Sequence, residues 1–150
     1  MSDPIYFYGQ TGTYPCFSNF APYAFELDGK YWPTVEHYFQ AQKFAGTEYE
    51  TRIQRAYTPK DARTFGRRRD WPLRADWEFV KDEVMLQAVR RKFETHADIR
   101  QILLGTGDMQ IIENSPFDYY WGCGKAGTGK NRLGEILMQV RTELQTAQPE

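Results

Sequence analysis

The chain has little sulfur and little imidazole: two cysteines, Cys16 and Cys123, and two histidines, His37 and His96, among 150 residues. Two cysteines are too few for a disulfide framework, and the four side chains make no metal-ligand spacing, so neither a structural metal nor a cofactor is expected. Neither histidine has an obvious nucleophile nearby in sequence, so no Ser-His-Asp arrangement stands out. Long apolar runs are missing too. Mean hydropathy is −0.70, no segment approaches a membrane span, and the opening MSDPIYFYG lacks the basic and apolar regions of a signal peptide. A soluble, cytoplasmic protein with no membrane partner is the expectation. The charge excess is also missing: a net charge of −1 argues against a protein built to coat nucleic acid, although a local basic patch remains open. There is no internal repeat. What is present is length for one domain, residues 1–150 with an ordered core from about 4 to 145, and an aromatic content of 16%.

Read in order, Ile5-Tyr6-Phe7-Tyr8 predicts a short strand, followed by a Gly/Thr/Pro-rich loop over 9–20. Tyr23 to Leu27 alternates as a strand, Asp28-Gly29 is a two-residue hairpin signal, and Lys30-Tyr31-Trp32 is the returning partner. The opening third is thus expected to be a small antiparallel sheet. Helices are predicted over 32–46, 48–57, a short one from Pro59, Trp77 to about Phe93 capped by Asp76, about 97–104 ending at Gly105, and 131 to about 145. Met109 to Glu113 is a further strand. Asn131 is the predicted cap of the last helix, whose core face carries Leu133, Ile136, Leu137, Val140 and Leu144. The tail from Thr146 to Glu150 is expected to fray.

The stretch Trp32 to Gly46, WPTVEHYFQAQKFAG, organises the rest. Thr34 supplies a cap, Pro33 tolerates a helix entrance, and Gly46 is a C-terminal stop. At 100° per residue with Glu36 at zero, Gln40 falls at roughly 40° and Lys43 at roughly −20°. A carboxylate and an amine therefore share one stripe, about 10.5 Å apart between Cα atoms. Polar stripes usually face water. Phe39 and Phe44 on the two shoulders weaken that reading, and the alternative is a stripe that lines a pocket.

Three further features each carry two local readings. The basic segment Gly66 to Arg74, with Arg67, Arg68, Arg69 and Arg74, is either a solvated loop or an anion site in which guanidinium forks bind phosphate and Trp71 offers a stacking surface. Lys81 falls inside the buried stripe of Trp77, Val80, Val84 and Ala88, so it either snorkels outward or reaches a pocket. The run Gly124 to Asn131 nearly matches a P-loop. Asn131 cannot offer the hydroxyl that holds magnesium, the preceding segment is no buried parallel strand, and no later apolar strand ends in an aspartate. What survives is a glycine-rich loop entering a helix N-terminus, either an oxyanion cradle or a flexible surface loop. Cys123 within it is either a reactive thiol or a small residue in a tight turn.

Taken together, these pieces resemble the NADAR (YbiA-like) family. The resemblance rests on Phe17-Ser18-Asn19-Phe20, Trp32-Pro33-Thr34, Glu36 through Phe44, Gly66-Arg67 with Arg69, and Pro72-Leu73-Arg74. It continues through Trp77, Lys81, Met85, Lys92-Phe93, Asp118, Tyr120-Trp121-Gly122, Gly124 and Gly129 to Gly134, in the right order over nearly the whole chain. The resemblance implies a compact, mostly helical α+β domain with a small antiparallel sheet. It implies an N-glycosidase that hydrolyses the bond between ribose C1 and an exocyclic amine. The implied substrates are phosphoribosylamino-pyrimidine intermediates of riboflavin synthesis and ADP-ribose on the guanine amino group, with ADP-ribosylated DNA or RNA as a further substrate.

Under that resemblance Glu36 is the expected acid, Lys43 (with Lys81 second) the expected amine of a Schiff base, and Asp118 a holder of ribose hydroxyls or a helper to the acid. Expected contacts to substrate are Asn19, Gln40, Arg67, Arg69, Arg74, Trp77, Lys81, Trp121, Gly122, Lys130 and Asn131, with phosphates on the arginines and the 129–131 loop. Cys123 sits where some members of the family have an aspartate (Trp-Gly-Asp-Gly). That departure frames a second hypothesis, a non-catalytic ADP-ribose-binding module. A third, nucleic-acid binding through residues 66 to 74, predicts steep salt dependence. Oligomeric state is not legible.

Overall fold

The computed structural model describes residues 3–147. They form two units, each with its own set of internal contacts: residues 3–18 with 96–147, and residues 19–95.

In the first unit a three-residue strand, β1 (Ile5–Phe7), pairs in parallel with a strand from the far end of the chain, Ile5 opposite Ile111. The antiparallel sheet expected for the opening third therefore does not include β1. A parallel partner distant in sequence is invisible to a local reading, which sees only the turn residues that follow a strand. After β1 a short 3-10 turn, Pro15–Phe17, buries Phe17 edge-on against Phe7. The remainder of this unit comprises a helix Ala97–Gly105, the strand Ile111–Glu113 that meets β1, and a last helix Arg132–Ala147. That helix buries Leu133, Ile136, Leu137 and Val140 as predicted, with Leu144 half-buried. Thr146 and Ala147 continue it rather than fray, and 148–150, the rest of the expected frayed tail, lie outside the described residues.

The second unit opens with the predicted hairpin, β2 (Phe25–Leu27) and β3 (Lys30–Trp32). Asp28 and Gly29 take positive φ of 55° and 77°, the left-handed pair that a tight two-residue turn requires. Four helices follow: α1 (Val35–Gln42), α2 (Glu48–Gln54), α3 (Pro59–Gly66) and α4 (Trp77–Thr95). Thr34, Thr47 and Thr58 each accept a backbone N–H at the start of α1, α2 and α3.

The α1 segment packs on α2, α3 and α4, which is why so much of it is buried. Its α geometry ends at Gln42, and i→i+3 bonds carry the turn onward through Lys43, Phe44 and Ala45 to Gly46 at φ 83°. His37 is clamped inside this packing. Its Nε2–H donates to the Ala56 carbonyl at 3.0 Å, leaving Nδ1 to accept from the Thr34 hydroxyl at 2.8 Å. Burial lowers its pKa below the ordinary histidine value and keeps the ring neutral.

Candidate active site

The predicted stripe on α1 is not a solvent face. Glu36 and Gln40 are 2% and 4% exposed, and the Gln40 amide donates to the Glu36 carboxylate at 2.7 Å. A residue the sequence reading missed completes this arrangement. Arg63 on α3 reaches the same carboxylate through Nε at 3.1 Å and a terminal nitrogen at 3.4 Å, with its guanidinium 4.4 Å from the Phe20 ring centre. Both of these partners donate to the Glu36 carboxyl oxygens. The signal for Arg63 was Ala62 and Gly66, two small buried residues at i, i+4 on α3. That spacing lets a helix approach α1 closely and puts Arg63 on the shoulder of the contact. The Gly66 approach is tight: a Cβ there would lie 2.0 Å from Gln40 Oε1.

Lys43, at the turn ending α1, donates to the Gly66 carbonyl at 3.2 Å and lies 5.9 Å from the ring centres of both Phe39 and Trp77. Burial is the chief reason its pKa falls to about 8. The nearby Glu36 charge pulls the other way, while Arg67 and Arg63 add to the lowering. Beside it opens a cavity of about 540 Å³, lined by Lys43, Phe44, Gly66, Arg67, Arg68, Arg69, Trp71, Leu73 and Trp77. Four of these side chains are cationic and none is acidic. Arg67 and Arg69 have no ion-pair partner among the described residues, whereas Arg68 pairs with Asp70 at 2.6 Å. A walled, positively charged cavity with a partly deprotonated amine suits an anionic electrophile.

Several expected contacts lie elsewhere. Arg74 holds Asp76 at 2.6 Å and donates to the Gln42 carbonyl, and its N–H binds Lys43 O, so it fixes the end of α1 and is no part of the cavity lining. That ion pair also occupies the carboxylate expected to cap α4. Lys81 pairs with Glu78 at 2.7 Å and does not line the cavity either. Asn19 gives its carbonyl to the Glu36 N–H and its amide to Met85 Sδ. Trp71 is 9% exposed and already stacks on Tyr49 at 4.3 Å, with Phe65 near-parallel at 5.9 Å, so little of its face is open.

In the other unit, the 118–131 segment is tightly bonded within itself. Asp118 Oδ1 accepts the N–H groups of Tyr120 and Trp121 at 2.9 and 2.8 Å. The N–H groups of residues 129 to 133 go to the carbonyls of Cys123, Tyr119, Gly122, Tyr120 and Trp121. The expected oxyanion cradle at the start of the last helix is therefore not there, because no N–H of 129–133 is left over. Nor does Asn131 cap that helix with its side chain. At φ 52° it turns the amide inward, accepting from Glu113 N–H and donating to Ile111 O, both at 2.9 Å. Gly122 is held close by Glu113 O and Asp118 O, Trp121 packs edge-on with Tyr120, and Lys130 lies over the Tyr120 ring. Cys123 points its thiol at Asn114 Oδ1, 3.4 Å away. Among the described residues no cluster of three or more His, Cys, Asp or Glu can hold a metal, and no helix is long and apolar enough to cross a membrane.

The fold and site define an α+β protein with an arginine-walled lysine pocket. The family model described as the NADAR domain matches residues 6–145, and the chain belongs to that family. It is 50% identical to the N-glycosidase Npun_R5314 of Nostoc punctiforme, covering 93% of this chain and 92% of that one. It is 49% identical to the N-glycosidase YbiA of Escherichia coli over 96% and 91% of the two chains. The solved structure of E. coli YbiA superposes with a TM-score of 0.89 at 46% identity, covering all of this chain and 92% of that one. A more distant relative, 40% identical over 99% of this chain but 41% of its own length, is the Vibrio vulnificus riboflavin biosynthesis protein VVA0006.

Proposed function

We propose that the protein is an N-glycosidase that cleaves the bond between ribose C1 and an exocyclic amine on phosphate-bearing substrates. The substrates we propose are the phosphoribosylamino-pyrimidines of riboflavin synthesis and ADP-ribose joined to the guanine amino group. The observation that carries this reading is Lys43: an amine with its pKa lowered to about 8, opening on a cavity with two arginines that have no ion-pair partner among the described residues. The names of the Nostoc, Escherichia and Vibrio relatives support it.

A glycosylamine opens to an iminium at C1 as its ring oxygen takes a proton from solvent water. Neutral Lys43 adds to that carbon, and the amine base leaves as its nitrogen takes the lysine proton. Water then attacks the lysine imine, releasing the aldose and restoring the amine. Glu36, whose charge acts on Lys43, stabilises each stage at which that nitrogen is cationic. It is held for this role by Arg63 and Gln40. Arg67 and Arg69 hold phosphate. This division of labour favours Lys43 over Lys81, whose ammonium is tied to Glu78.

The test is base release followed by mass spectrometry, using guanosine carrying ADP-ribose on its amino group and, separately, the riboflavin-pathway phosphoribosylamine. Turnover of at least one is expected, and Glu36→Gln should lower it about 100-fold or more without loss of fold. Tight binding of both with release of neither would make the protein a binding module.

A further inference from the structure

We propose that Arg63 is a positioning residue of the reaction, acting through Glu36: its guanidinium anchors Oε2 of that carboxylate and leaves Oε1 as the oxygen that meets the developing cation. The proposal rests on the role given to Glu36 above and assigns that role to one atom. The two oxygens are held unequally. Oε2 accepts from the Gln40 amide at 2.7 Å and from Arg63 Nε at 3.1 Å, which fills both lone-pair positions of an ionised carboxylate oxygen. Oε1 has one long bond, from Arg63 Nη2 at 3.4 Å, beyond the usual N–H···O range. The spare acceptor capacity therefore lies on Oε1.

Arg63 is itself built into place. Small, buried Ala62 and Gly66 bring α3 close to α1, and the guanidinium lies 4.4 Å from the Phe20 ring centre. At the other end of the pair, Asn19 O accepts the Glu36 N–H and fixes the backbone that carries the carboxylate. Exposure is asymmetric: the Arg63 side chain is 41% exposed and that of Glu36 3%. The carboxylate is shut off from water, so its charge is compensated by the guanidinium and not by solvent. Charge and orientation are separable parts of that support. Lysine keeps the charge without the planar fork, and glutamine keeps neither. With Gln40 as the one remaining donor, either oxygen can take its amide, and the open position is no longer fixed.

The experiment measures kcat and KM for base release on the full chain for Arg63→Gln and Arg63→Lys, each also combined with Glu36→Gln. Arg63→Gln should lower kcat by as much as about 100-fold with KM nearly unchanged, and Arg63→Lys by about tenfold, because the charge remains and the fork does not. In the Glu36→Gln background, Arg63→Gln should cost no more than about twofold further. Lys43 labelling by an amine-reactive reagent separates charge from orientation without any turnover. Its pH midpoint should rise in Arg63→Gln, since the Arg63 charge lowers this pKa, and hold in Arg63→Lys. Thermal melts complete the cycle: Arg63→Gln should lower the melting temperature, and adding Glu36→Gln should recover part of the loss, because the stranded buried charge goes with it. A raised KM with kcat intact makes Arg63 a substrate contact and overturns the proposal. Equal losses of turnover in both Glu36 backgrounds, or additive melts, overturn it as well. No release by the parent from any glycosylamine, with the melts coupled, removes the glycosidase reading and with it the part of Arg63 in turnover, and leaves the pairing standing.

Discussion

The pKa of Lys43 sets a sharp pH signature. A lysine of ordinary pKa 10.5 is about 0.03% neutral at pH 7, and one at about 8 is about 9% neutral. The population of nucleophile is thus about 300-fold larger, an advantage of about 3 kcal/mol in the cost of deprotonation. The perturbation is pH itself, from 6 to 10.5, with a small uncharged amine-reactive reagent that owes nothing to the arginines. Lys43 labelling should climb about tenfold per unit below pH 8 and level off above it, while the other lysines keep climbing past pH 10. Two variants check the causes. Arg67→Gln removes a charge that lowers this pKa, so the midpoint should move up. Glu36→Gln removes the charge that raises it, so the midpoint should move down even as turnover is lost. The reasoning is refuted by a Lys43 profile with no plateau below pH 10, or by a midpoint that rises in Glu36→Gln. The same shift bears on stability. Between pH 8 and 10.5 the unfolded chain binds more protons at this position than the folded one, so Lys43 adds stability as pH rises through that window.

Gly66→Ala forces a Cβ to 2.0 Å from Gln40 Oε1, and overpacking of this kind costs about 1–3 kcal/mol; a thermal melt within about 1 °C of the parent would show that α1 and α3 have room to separate. Asn131→Gly keeps the positive φ but leaves Glu113 N–H and Ile111 O without their partner, a loss of about 2–4 kcal/mol with KM unchanged, and a raised KM at unchanged stability would return Asn131 to the substrate. Acidification should destabilise the fold as pH falls below about 6.5 toward the lowered pKa of His37, because the unfolded chain gains that proton first; His37→Gln should flatten this part of a pH–stability curve.

Much of this site is legible in fifteen residues. A Thr cap, a Gly stop and a 3.6-residue period place Glu36, Gln40 and Lys43 on one stripe, and the flanking phenyls hint that the stripe is buried. The hairpin is legible for a similar reason, since Asp-Gly names its own turn. What spacing cannot supply is the partner of each group. Arg63 is hidden because its helix is legible only as a short one from Pro59, whereas it runs to Gly66. The arginines of 66–74 look alike in sequence, yet Arg68 and Arg74 are held by aspartates two residues on, while Arg67 and Arg69 are not. The entrance to the last helix misleads in the same way: the N–H groups of 129–133 look free until the carbonyls of 119–123 are found to take them. Parallel pairing of Ile5 with Ile111 has no local signature at all.

The central claim is that Lys43 carries the sugar through turnover. The most direct measurement is to quench a turning-over reaction with borohydride and map the adduct by mass spectrometry. The account predicts a stable sugar-phosphate mass on the peptide containing Lys43, with stoichiometric base release, and neither in Lys43→Ala. Base release at the parent rate from Lys43→Ala, with no adduct on any lysine of the parent, would contradict it and leave direct attack by water.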